Sequence, residues 1–304
     1  MTFVLRRALL ASAAMGGNKP ALHLTATTTG AAETVTIDRM TPATGTSLTI
    51  IWGDGTTTTV AAGVTTAQAH VYAAAGTYAI RVVDARNIVQ IDLHDSKLSG
   101  FDSVDLARSA ITYFICYSLG SSVASRVSTA DMALWRPTTW YLFSMPAGTY
   151  SIDSQYMAAW TPTTWWLYSM PTGTYNIDSQ HMASWTPTTW RLYSMPAGTL
   201  TVTAAANFNN WKRPTEFRFD NLTLSQTQVD AILLGLYGAF AGKTSTGGTL
   251  NLGGSGGTAN AAPSGTYQAA SVCPPTDGKE IAYELLNDTC NVSTNHWATV
   301  TITA

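Results

Sequence analysis

The chain has 304 residues, 45% of them hydrophobic, so a substantial core is within reach and the length suits about two domains of common size. Charged residues make up only 11%, against about 25% in ordinary globular chains. The net charge is −2 with no block of Lys and Arg, which excludes an electrostatic claim on nucleic acid or an anionic membrane. At the N-terminus Arg6 and Arg7 precede a small apolar stretch, Ala8 to Met15. Two readings of residues 1–20 stand: a secretory signal with a small-residue cleavage site, or an arm that docks on a larger assembly. No apolar run approaches the roughly 18 residues of a membrane-spanning helix.

Residues 21–86 read as all β. Leu22-His23-Leu24-Thr25 and Thr34-Val35-Thr36-Ile37 alternate with period two, as does Tyr78-Ala79-Ile80-Arg81-Val82-Val83. Leu48 to Trp52 forms another strand, closed by the turn Gly53-Asp54-Gly55, where a tight turn accounts for Asp54. Three motifs follow one another here: Trp52-Gly53-Asp54-Gly55, then His70-Val71-Tyr72, then Gly76-Thr77-Tyr78-Ala79-Ile80. In this order they resemble a PKD-type, immunoglobulin-like domain. The resemblance implies a small β-sandwich that serves as a spacer or binding module on surface proteins.

From residue 87 the pattern changes to a repeat. Trp135, Trp160 and Trp185 each open a 25-residue copy of Trp-x-Pro-Thr-Thr-Trp-x-Leu-(Tyr/Phe)-Ser-Met-Pro. A fixed period of this length marks one supersecondary unit stacked on copies of itself. Ile91-Asp92-Leu93 through Leu98 fits the L-x-L-x-x-N-x-L frame with Ser96 at the Asn place, and this resembles a leucine-rich repeat. The frame recurs at Phe114-x-Cys116, Trp140-x-Leu142, Trp165-x-Leu167, Trp190-x-Leu192, Phe217-x-Phe219 and Leu250-x-Leu252. Seven short parallel strands are therefore expected over residues 87–252. Met145, Met170 and Met195 stand where the family's Asn ladders to backbone groups, a departure that puts the usual horseshoe curvature in doubt.

Ser225-x-x-Gln228 is a capping box. It opens a helix with Val229, Ile232, Leu233, Leu236, Tyr237 and Phe240 on one face. A second short helix is expected around Gly278–Asn287, then a strand over Trp297–Ile302. Residues 253–304 read as a C-terminal cap, since an open repeat stack exposes apolar edges. Ala262-Pro263-Ser264-Gly265-Thr266-Tyr267-Gln268 and the Gly278-Lys279-Glu280 helix are similar to the ends of leucine-rich-repeat proteins in tailed-phage and prophage genomes. The expected fold class is mainly β with few helices: a small sandwich, a leucine-rich-repeat-like solenoid of about seven coils, and a cap.

The strand positions between inward residues point to an open face: Tyr141 and Phe143, Trp166 and Tyr168, Arg191 and Tyr193. Aromatics mixed with one Arg match the composition of interface hot spots. Trp140, Trp165 and Trp190 share the inward frame and are expected in the core. Trp135, Trp160 and Trp185 precede Pro at the turn and are the candidates for a ligand-facing row, with a glycan as one ligand. Asp153 and Asp178 recur on the returning segment and read as Asx-turn or capping residues. Cys273 and Cys290 are the candidate disulfide, and Cys116 falls at an inward position as a buried thiol. No CxxC pair, HExxH, G-x-S-x-G or P-loop is present, so neither a metal nor a cofactor is expected and the chain reads as non-enzymatic. The expected partners are other virion or surface proteins and further copies of the same chain.

Overall fold

The computed structural model describes residues 20–196, 200–201, 208, 211, 214–240, 247–287, 289–290 and 297–303. The arm-or-signal segment lies outside them apart from Pro20. The fold is mainly β. Strands β1 (Ala21–Thr28), β4 (Ser47–Ile51), β5 (Thr57–Ala61), β7 (Gly76–Val83) and β9 (Leu98–Ser99) form a five-stranded sheet in the order β5-β4-β7-β1-β9. Strands β2 (Glu33–Ile37) and β6 (Gln68–Tyr72) pair antiparallel beside it. Alternation drives both: in β1, Leu22, Leu24 and Ala26 are buried while His23, Thr25 and Thr27 are half-exposed, as a one-sided strand requires. The Trp52-Gly53-Asp54 turn is locked twice. The Tyr72 hydroxyl donates to the Trp52 carbonyl at 2.7 Å. The Asp54 carboxylate accepts from the Thr56 hydroxyl at 2.6 Å and its N–H at 3.0 Å and faces His70 Nε2 at 2.7 Å. Those bonds, that of the Thr56 hydroxyl first, draw the Asp54 pKa down to about 2.

The second part is built from one large sheet. Its nine strands are β3 (Arg39–Pro42), β8 (Ile88–Leu93), β10 (Tyr113–Tyr117), β12 (Thr139–Phe143), β14 (Thr164–Tyr168), β16 (Thr189–Tyr193), β18 (Glu216–Arg218), β19 (Thr249–Asn251) and β20 (Thr299–Thr301), adjacent in that order. From β8 to β20 every pairing is parallel. The register joins Ile91, Phe114, Trp140, Trp165, Trp190, Phe217 and Leu250 in one row. Val300 extends that row in an eighth parallel strand, beyond the seven that the sequence frame supplied. A second sheet, β11 (Ser125–Ser128), β13 (Gly148–Asp153), β15 (Thr174–Asp178) and β17 (Leu200–Thr201), lines the returning side. Short 3-10 turns at Ser103–Leu106, Thr129–Met132, Ser154–Met157 and Ser179–Met182 carry the chain back.

The sequence boundary at residue 86 is crossed by two pairings. β3 joins the large sheet antiparallel to β8, and β9 joins the five-stranded sheet beside β1. One continuous apolar core results, running from Leu22 to Trp297.

Methionine at the Asn place leaves open how the stacked backbone is satisfied, since buried N–H and C=O groups need partners. Buried hydroxyls on the returning side supply some of these partners, and an exposed threonine row adds bonds to carbonyls that backbone N–H groups already reach. Thr138, Thr163, Thr188 and Thr215 donate to Thr112, Thr138, Thr163 and Thr188 carbonyls of the preceding coil at 2.9–3.2 Å. On the returning side, buried hydroxyls bridge one coil to the next. Ser103 Oγ accepts from Ser128 N at 2.9 Å, Thr129 Oγ1 from Asp153 N at 2.8 Å, and Ser154 Oγ from Asp178 N at 2.9 Å. Met145, Met170 and Met195 are buried instead as apolar filling, with Met145 Sδ 3.9 Å from the buried Cys116 thiol.

The end of the chain adds helices α1 (Gln226–Phe240) and α2 (Gly278–Asn287), which pack on one another. The capping box forms: Ser225 N donates to Gln228 Oε1 at 3.0 Å and Gln228 N to Ser225 Oγ at 3.4 Å. Val229, Ile232, Leu233 and Leu236 are buried. At the first residue of α2 a β-carbon on Gly278 would crowd Pro263 Cβ at 2.7 Å and the Asp230 carboxylate of α1. Cys273 and Cys290 are joined, with Cα atoms 5.5 Å apart.

The Ser154 hydroxyl is fully buried and serves two backbone groups of Asp178, N–H at 2.9 Å and C=O at 3.4 Å. Ser154→Ala is expected to cost about 1–3 kcal/mol, read from urea unfolding. A loss below about 0.5 kcal/mol, the level of a neutral surface change, would show that the hydroxyl row does not carry the stack.

Candidate functional site

Parallel strands in register put the same repeat position on the same face at each rung, about 4.8 Å apart. On the solvent face of the large sheet this produces two rows. The outer row runs Tyr117, Phe143, Tyr168, Tyr193, with ring centroids 4.4 Å apart at every step and planes within 14°. The inner row runs Tyr141, Trp166, Arg191: the two rings stack at 4.0 Å and 5°, and the guanidinium lies 4.0 Å above the indole. The six residues singled out from the sequence, Tyr141, Phe143, Trp166, Tyr168, Arg191 and Tyr193, thus sit together, each half-buried.

Neighbours close the outer row at both ends. His94 stacks on Tyr117 at 4.8 Å and 6°, and the Arg218 guanidinium lies 3.8 Å over Tyr193. Arg191 is held by Glu216 through two bonds of 3.0 and 2.7 Å, and Arg218 by Asp220 at 2.8 and 2.7 Å. The bonds to Asp220 raise the Arg218 pKa further, so both cations are fixed, bidentate and stacked. Burial raises the hydroxyl pKa of Tyr117, Tyr141 and Tyr168, which keeps these groups protonated as donors. Tyr117, His94 and Arg218 were not found from the sequence. Tyr117 was within reach, since it stands three residues after Phe114 as Phe143 stands three after Trp140; His94 and Arg218 enter only through their side-chain directions.

The stacking decides what the face offers. Both flat sides of Tyr117, Phe143, Tyr168, Tyr193 and Trp166 are spent on a neighbouring ring, on His94 or on an arginine, while Tyr141 stacks on Trp166 through one. What reaches solvent is ring edges and phenol hydroxyls in a row.

Trp135, Trp160 and Trp185 do not form a ligand-facing row. All three are fully buried. Each follows a 3-10 turn, its N–H bonded to the Met132, Met157 or Met182 carbonyl at 2.8–3.0 Å, which swings the side chain inward. There Trp135 packs on Phe114, Trp160 on Trp140 and Trp185 on Trp165, at 5.1–6.0 Å. The indole N–H of Trp135 and of Trp185 donates to the Leu106 or Met157 carbonyl of the preceding coil, both at 3.3 Å. Trp211 extends the row, its Nε1 2.8 Å from the Met182 carbonyl; one inserted residue hides it from the 25-residue frame. Trp140, Trp165 and Trp190 are buried and stacked at 5.4 and 4.1 Å.

Comparison with protein-family models, curated proteins and solved structures returns no match to this chain. The reading of the face therefore rests on its own geometry.

The returning-side carboxylates are structural. Asp102, Asp153 and Asp178 each cap a 3-10 turn, accepting from Val104 N, Gln155 N and Gln180 N at 2.9–3.1 Å. An open cleft beside β20 is lined by Tyr267, Lys279, Val300, Thr301 and Ile302, a set with one titratable cation and no carboxylate. Among the described residues, one group of metal-ligand type is present, Asp38, Asp92 and His94. No described helix is long and apolar enough to cross a membrane.

Adjacent tryptophans separate core from face. Trp165→Ala is expected to cost about 3–5 kcal/mol, as for a large buried ring. Trp166→Ala forfeits mainly one ring stack and one cation–π contact, about 1–2 kcal/mol, and leaves a folded protein. Chemical denaturation of the two variants checks the order.

Proposed function

We propose that this chain is a non-enzymatic structural or decoration component of a phage-like particle, or of its tail, whose aromatic face contacts other proteins of the assembly. The observation that carries the reading is the comb of half-buried rings, Tyr117 to Tyr193 and Tyr141 to Arg191, held rigid by stacking before any partner arrives. A preorganised aromatic and arginine surface loses little side-chain entropy on docking. The low charge and the phage-like C-terminal motifs support the same reading. So does the engagement of Asp102, Asp153, Asp178, Glu216 and Asp220 in caps and ion pairs. In this reading residues 21–86 are a PKD-like sandwich used for attachment. Residues 87–252 are a leucine-rich-repeat-like solenoid, and residues 253–304 are its cap. The partners are other virion or surface proteins and further copies of this chain.

A second reading, a secreted bacterial adhesin or recognition protein, is favoured by the Cys273–Cys290 disulfide, which belongs to an oxidising compartment or an exposed particle surface. The two differ in where the mature chain is found. Mass spectrometry of particles purified from cells carrying the gene is expected to find the chain at fixed stoichiometry. The paired change Trp166→Ala with Tyr168→Ala is expected to lower its incorporation about thirtyfold, the effect of losing one hot spot. Absence from every particle, together with mature material beginning near Ala14 or Met15, would replace the first reading with the second.

A further inference from the structure

The aromatic face ends in a group of a different kind. Asp38 lies in the step between β2 and β3, Asp92 and His94 at the end of β8. Asp38 is far from the other two in sequence and meets them because β3 runs antiparallel to β8, setting Arg39 opposite Asp92. His94 Nδ1 points at both carboxylates, 2.8 Å from Asp92 Oδ1 and 3.2 Å from Asp38 Oδ2. The three ligand atoms all lie within 4.8 Å of one another. The charge here is not matched by the obvious cation. Arg39 turns its guanidinium onto the Tyr113 ring at 4.3 Å, and Lys97 lies against Asp95 at 3.9 Å.

We propose that Asp38, Asp92 and His94 form a site for a divalent transition-metal ion of the zinc or manganese type. One imidazole nitrogen and two carboxylate oxygens are a donor set for such ions, harder than the thiolate sites of zinc fingers and softer than the all-oxygen cages that hold calcium. Ligand atoms around a tetrahedral zinc stand about 3.3 Å apart, as bond lengths of about 2.0–2.2 Å require. The two His94 separations, 2.8 and 3.2 Å, reach that spacing when the imidazole shifts by about half an ångström, and the two carboxylates lie within 4.8 Å of one another. The rest of the coordination is open to water, since all three residues are half-exposed.

The position gives the ion a job. Asp38 belongs to the first part of the chain, while Asp92 and His94 belong to the first strand of the repeat stack. An ion held by all three clips the two together at the seam where β3 meets β8. His94 also stacks on Tyr117, so the same ion fixes the first member of the aromatic row. The expected role is structural: metal binding is folding free energy wherever ligands come from separate segments.

The test uses the full chain, freed of metal with chelator and titrated calorimetrically with zinc chloride, manganese chloride and calcium chloride in turn. Saturable binding of one equivalent of zinc or manganese is expected, with a rise in melting temperature. His94→Phe keeps a ring on Tyr117 and Asp38→Asn keeps the shape of the carboxylate. Each is expected to weaken binding at least tenfold while circular dichroism stays unchanged. Asp92→Asn provides a third variant should either of these fail to fold. No saturable binding, binding of calcium alone, or His94→Phe and Asp38→Asn variants that bind as the parent does would each overturn the site.

Discussion

Register is the constraint on which everything else in this molecule rests. A parallel strand cannot be held by a tight hairpin, so each rung of the large sheet must be positioned by the coil behind it. Two kinds of contact do this together. Aromatic rings stack through the core, Trp140 on Trp165 on Trp190, and hydroxyls of Ser103, Thr129 and Ser154 tie the backbone of one coil to the next. A slip of one residue would turn Trp140, Trp165 and Trp190 to solvent and Trp166, Tyr168 and Tyr193 to the core. The stack is therefore fixed more sharply than its short strands would suggest.

The solvent face follows from the same geometry. Stacking that is forced on the core by register is forced equally on the outer rows, because both are rows of identical positions at strand spacing. Phe143, Tyr168 and Tyr193 lie face to face for the reason that Trp165 and Trp190 do. The exposed surface is consequently stiff, with its arginines clamped by Glu216 and Asp220. Rigidity and loss of the ring faces go together.

The two ends of the stack are handled differently. At one end the chain's first part donates β3 to the sheet as its edge strand and takes β9 in exchange, so the two parts share a core there. At the other, β19 and β20 extend the sheet with short strands, α2 packs against β20 and α1 against α2. Among the described residues this end of the sheet is the three-residue β20. A short edge with β-branched Thr299, Val300 and Thr301 offers little length for a foreign strand to pair with.

Periodicity of a fixed kind was enough to set the strand frame from sequence: Trp140, Trp165 and Trp190 inward, Tyr141 and Trp166 outward, Asp153 and Asp178 as caps, Ser225 and Gln228 as a helix start. These are local or repeat-local properties, decided by which side chain alternates with which and by hydrogen bonds two or three residues long. Trp135, Trp160 and Trp185 escaped that logic because their direction depends on a 3-10 turn that brings the backbone round after Met132, Met157 and Met182. Trp211 escaped it because one inserted residue breaks the period. The convergence of Asp38 with Asp92 and His94, the exchange of β3 and β9, and the addition of β20 as a further parallel rung belong to the tertiary structure alone. They join segments whose spacing in sequence carries no period, and only the packing of distant strands decides which of them meet.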